Sequence, residues 1–80
     1  MAAKNKDMET ITFNIEREED GGYIAEAETL DGHIFTQADS FEELKNEIRD
    51  AVETHFEGQR EKMPRVVRLV ETEVMELAPA

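Results

Sequence analysis

Residues 11–40 read ITFNIEREED GGYIAEAETL DGHIFTQADS, and their alternation decides the fold. Ile11, Phe13 and Ile15 alternate with Thr12, Asn14 and Glu16, the period-two pattern of a strand with one buried face. The run Arg17-Glu18-Glu19-Asp20 cannot be buried, and Gly21-Gly22 supplies the positive backbone dihedrals that a tight reversal needs. A second strand follows over residues 23–28, with Tyr23, Ala25 and Ala27 on one face and Ile24, Glu26 and Glu28 on the other. Tyr23 favours the first of these as the inward face. Leu30-Asp31-Gly32 turns the chain again, and residues 33–38 form a third strand in which Ile34 and Phe35 point to opposite sides.

Directly behind this meander lies a helix start. Ser40 and Glu43 have capping-box spacing: the Ser40 hydroxyl accepts from the Glu43 N–H, and the Glu43 carboxylate returns to the Ser40 N–H. Phe41, Leu44, Ile48, Ala51, Val52, His55 and Phe56 then recur at steps of three and four, an apolar stripe on a helix that ends near Gly58. Glu42, Lys45, Asn46, Arg49, Asp50 and Glu53 occupy the opposite side. A charged connector over residues 59–64 leads to a Val- and Leu-rich stretch, residues 65–77, read as a fourth strand. Val67 and Leu69 share one of its faces, and Val66, Arg68 and Val70 the other.

The order strand, strand, strand, helix, strand has few solutions. A helical crossover returns the fourth strand parallel to a neighbour with the usual right hand. The expected sheet order is 3-2-1-4, in a two-layer α+β sandwich whose helix covers one face. Residues 10–77 make one domain, with residues 1–9 a disordered tail and residues 78–80 a frayed end.

Composition narrows the function. A chain of 80 residues buries only about 60% of the surface its unfolded form exposes, so association with a second copy is plausible on size alone. With 20 acidic against 9 basic residues the formal net charge is -11, a field that repels nucleic-acid backbones and attracts a small basic protein. Cysteine is absent, which removes disulfides, thiolate metal sites and a cysteine nucleophile and suits a reducing cytosol. No segment approaches the roughly 20 apolar residues of a membrane-spanning helix. The expected location is cytoplasmic.

Gly21, Gly22, Tyr23, Ala25, Leu30, Gly32, Thr36, Asp39, Glu42 and Glu43 fall in an order that resembles the HicB-type antitoxin family. That family runs an apolar strand, acidic residues, Gly-Gly, Tyr-x-Ala, Leu-x-Gly and Thr-x-Gly-Asp before an acidic helix start. The resemblance covers most of residues 10–58. Glu28, Thr29 and Asp31 stand where the family carries prolines and their neighbours, His33 stands where Cys is frequent, and Ala38 replaces a glycine. The stretched spacing from Gly32 to Thr36 suggests a bulge in the third strand. The resemblance implies a truncated ribonuclease-H-like fold and a partner: a small basic ribonuclease toxin whose active-site histidine the antitoxin occludes. Family members commonly add a helix-turn-helix or ribbon-helix-helix segment. This sequence carries none, so a stand-alone form without autorepression is expected.

Two surfaces are candidates for contact. Glu18, Glu19, Asp20 and Tyr23 at the first hairpin would meet the basic partner. Ile34, Val66, Arg68 and Val70 would mediate self-association into a homodimer or higher homo-oligomer. No enzyme is expected, and no cofactor or metal: a ribonuclease-H-like centre needs clustered carboxylates on the first strand, where this chain has Asn14. His33 and His55 read as a strand-end residue and a packing residue. The alternative function is a stand-alone homo-oligomeric regulatory or scaffold protein with no toxin partner.

Overall fold

The computed structural model describes residues 10–73, 75 and 77. The expected tail over residues 1–9 and the frayed end over residues 78–80 lie outside them. Strands β1 (Thr10–Arg17), β2 (Tyr23–Thr29) and β3 (Gly32–Ala38) precede helix α1 (Phe41–His55). A single 3-10 turn (Arg60–Lys62) leads to β4 (Val66–Thr72). They form a four-stranded sheet of order β3-β2-β1-β4. β1–β2 and β2–β3 are antiparallel and β1–β4 is parallel. The expected α+β order is therefore the observed one.

The register carries the sequence alternation into three dimensions. Ile15 pairs with Ala25, Ala27 with Ile34, and Ile11 and Phe13 with Val67 and Leu69. Those side chains share the face that α1 covers. Ile11, Phe13, Ile15, Ala25, Ala27 and Ile34 are buried together with Leu44, Ile48, Val52 and Phe56 from the helical side. Ala25 and Ala27 matter because they are small: they leave room for the helix to lie across β2. The helix begins where the sequence placed it. Ser40 is extended, and its hydroxyl accepts from the Glu43 N–H at 3.2 Å. The return bond from the Glu43 carboxylate is not formed, so half of the expected capping box is present. Ser40→Ala should cost about 1 kcal/mol, read as a lower midpoint in chemical denaturation; an unchanged midpoint would mean that water replaces the cap without loss.

Five details depart from the sequence reading. Ile34 is core at 5% exposure and does not belong to the outer surface with Val66, Arg68 and Val70, because its register partner Ala27 holds it beneath the helix. Pairing of β2 with β3 runs unbroken from Tyr23–Ala38 to Thr29–Gly32, so there is no bulge. Only Gly21 of the glycine pair has a positive φ, +102°, and Gly22 instead donates to the Asp20 carboxylate at 3.2 Å. The helix ends at His55, three residues before Gly58. β4 stops at Thr72 rather than running to Leu77, and residues 74 and 76 of that expected strand lie outside the described residues.

Candidate functional site

The first hairpin is built to project charge. The Glu18 N–H donates to the Gly22 carbonyl at 2.7 Å, and the Gly21 N–H to the Glu18 carbonyl at 3.0 Å. A side chain at Gly21 would be strained by its backbone conformation. This small loop leaves Glu18, Glu19 and Asp20 exposed just beyond the Arg17–Tyr23 pair that ends the ladder.

Folding brings a second acidic group to the same place. An open cleft of about 710 Å³ lies between the hairpin and the start of α1, and Glu18 and Asp20 line it with Asp39, Glu43 and Glu47. No lysine or arginine is among its lining residues. Glu43 and Glu47 are one helical turn apart and face the same way. Tyr23 also lines the cleft, half-buried, with its ring edge-on to Phe41 at 5.8 Å between centroids. A cation lies near each ring: Arg17 is 5.6 Å from the Tyr23 ring centre and Lys45 5.5 Å from that of Phe41. Tyr23 thus packs against both Phe41 and Arg17 while lining the edge of an acidic concavity. The sequence signalled the hairpin acids and Tyr23. It did not signal Asp39, Glu43 and Glu47 as their neighbours, since only the β2–β3 pairing sets the helix start beside the hairpin.

The outer face of the sheet is uncovered by any described element. Its rows follow from the register, one of them running Phe35, Glu26, Asn14, Val70 from edge to edge. Phe35 and Val70 therefore sit on opposite edges, about 14 Å apart at usual strand spacing, and do not form one patch. At the β4 edge Val66, Arg68 and Val70 are exposed as expected, with Val66 at 53%. Val67, on the inner face, is also exposed at 38%, because α1 lies over β3 and β2 and does not reach β4.

The two histidines serve different ends. His33 lies on the outer face 3.8 Å from Glu26 and 3.9 Å from Glu28, a solvent-exposed arrangement. His55 is half-buried, edge-on to Phe56, with Nε2 3.2 Å from the Thr29 hydroxyl oxygen. That hydroxyl donates to the Gly32 carbonyl at 3.1 Å and accepts from the Asp31 N–H. With its proton so used, it has a lone pair left for an Nε2–H of His55. Thr29 and His55 thus tie the second turn to the end of the helix, a structural link across 26 residues. Among the described residues no three His, Asp or Glu side chains are grouped to hold a metal ion. No described helix is long and apolar enough to cross a membrane.

No protein-family model matches the chain, and no solved structure matches it. A UPF0150 protein of Thermotoga maritima is 49% identical over 53 residues, 62% of this chain and 73% of that protein. A UPF0150 protein of Archaeoglobus fulgidus is 48% identical over 62 residues, 76% of this chain and 89% of that protein. At that identity over nearly the whole of a relative, this chain belongs to the UPF0150 family.

Proposed function

We propose that this protein is a HicB-like antitoxin or antitoxin-derived binding module that neutralises a small basic ribonuclease toxin in the cytoplasm, and that it is not itself an enzyme. The observation that carries this reading is the acidic cleft, which five carboxylates from the hairpin and helix start line together with Tyr23 and which no lysine or arginine lines. A tyrosine anchor ringed by charge is the usual anatomy of a protein contact: the ring supplies buried area, and the charges steer encounter and reject wrong partners. The ordered residues from Gly21 to Glu43 add the family resemblance, and the strand order agrees with the fold that resemblance implies. A second reading, a homo-oligomeric regulatory or scaffold protein without a toxin, draws on the exposed Val66, Val67 and Val70 of the sheet edge.

Tagged co-purification from the native host at moderate salt separates the two. On the toxin reading it recovers one small basic protein in stoichiometric amount that arrests growth when expressed alone. Recovery of the chain by itself overturns that reading and favours the self-associating one.

A further inference from the structure

The geometry points to an isologous dimer in which β4 pairs antiparallel with β4 of a second copy, about a two-fold axis through Arg68. This deepens the self-association reading above and does not depend on a toxin partner.

β4 is a sheet edge: β1 takes one side of its backbone, and the other side pairs with no described strand. Edge strands of stable monomers are usually short, bulged or shielded by charge, because an open row of N–H and C=O groups templates pairing. Here the edge is seven residues long, and three of its valines are exposed, Val66 and Val70 on one face and Val67 on the other. Nothing from α1 overhangs it, and a cleft of about 330 Å³ between helix and strand, lined by Val67, Leu69, Ile48 and Val52, stays open beside it.

The sequence of the edge identifies its occupant. Residues 65–71 read Arg-Val-Val-Arg-Leu-Val-Glu. A two-fold axis normal to the sheet keeps both sheets continuous and pairs residues that share a face. Centred on Arg68, it sets Arg65 against Glu71 of the second copy, Val66 against Val70, and Val67 against Leu69, each twice. Opposite charges meet at both ends and apolar side chains meet between them, on both faces, which is the pattern that favours cross-strand pairs. Shifting the axis to Leu69 sets Val67 against Glu71 and Val66 against Thr72. Shifting it to Val67 sets Arg65 against Leu69 and Val66 against Arg68. The Arg68 register alone matches charge with charge and apolar with apolar. Its one unfavourable pair, Arg68 with itself, lies on the exposed outer face, where long side chains diverge into water.

Because the chain has no cysteine, one introduced thiol reads the register. Residues facing each other across the axis have Cβ atoms about 4.5–5.5 Å apart, near enough for a disulfide after small adjustment. Arg68→Cys should form a disulfide dimer on mild oxidation, whereas Leu69→Cys and Val70→Cys should not. The Arg65→Glu variant should weaken self-association on the order of tenfold or more by opposing two glutamates at each end, and Arg65→Glu with Glu71→Arg should restore it. Val66→Lys with Val70→Lys should sediment as a monomer with an unchanged circular dichroism spectrum. A wild-type chain that stays monomeric at high concentration, or cross-linking at Leu69→Cys in place of Arg68→Cys, overturns the proposal. These variants leave the acidic cleft untouched, so capture of a basic protein stands or falls separately.

Discussion

Phe13→Ala is expected to remove about 3–5 kcal/mol of stability, more than any other single truncation in the domain. Phe13 is fully buried in β1, the strand that pairs with both β2 and β4, with Leu69 beside it in the parallel register. Only ten apolar residues are buried among those described, and Phe13, Ile15 and Leu44 are the largest with essentially no exposure. Removing the ring leaves a cavity between β1 and the helix that neighbours cannot fill. Ala25 and Ala27 are too short to reach in, and the ladders fix the strands on either side. Domains of this size have total stabilities of about 5–15 kcal/mol, so the variant would sit near the folding threshold. At roughly 4–8 °C per kcal/mol for a domain of this length, the melting temperature should fall by at least about 12 °C. Thermal and urea unfolding followed by circular dichroism measure it. A loss below about 1 kcal/mol would mean that the helix settles onto the sheet and closes the void, contrary to the rigid packing described.

The second large effect concerns rate rather than stability. Glu18→Lys, Glu19→Lys and Asp20→Lys together should slow association with the proposed basic partner about 10- to 100-fold at low ionic strength. Each reversal adds two units of charge, so the net charge of -11 becomes -5, and the change is concentrated at the cleft mouth. All three side chains are exposed; Asp20→Lys removes the bond from the Gly22 N–H at an exposed turn, but Gly21 and the two backbone bonds of the loop are retained, so the fold should survive. The difference should shrink as salt brings the screening length below about 8 Å. Stopped-flow or surface-binding kinetics at two salt concentrations give the answer. Equal association rates at low salt would remove the hairpin from the binding surface and leave Asp39, Glu43 and Glu47 to account for any recognition.

The sequence announced its core where period and residue size agreed. Ile11, Phe13 and Ile15 had one consistent face, Ala25 and Ala27 joined it through Tyr23, and the spacing of Ser40 and Glu43 fixed the start of the helix. Ile34 and Phe35 were undecidable from the sequence, since adjacent apolar residues on a strand carry no indication of which side is wet. The Ala27–Ile34 pairing answers it. Val67 and Leu69 share a face by parity and the structure makes it the inner one, yet Val67 is left exposed because the helix lies over the other half of the sheet, and no local pattern encodes that offset. The Thr29–His55 link and the joining of two acidic groups into one cleft both depend on chain segments more than ten residues apart. Residue spacing could locate each half of the candidate site, but only the sheet register could bring the halves together.

The parallel pairing of β1 with β4 sets a waiting time. Thr10 pairs with Val66 and Glu16 with Thr72, so each residue from Thr10 to Glu16 meets its partner 56 positions later in the chain. At a ribosome's pace of about 5–20 residues per second, that interval is roughly 3–11 s. Within that interval the other two strands of the meander and the helix are made, and the helix is complete at His55 while the middle strand is still open along one side. The alternation that opened the sequence protects it meanwhile: Thr12, Asn14 and Glu16 keep one face of that strand polar. The first strand to be made is also the last to be completed.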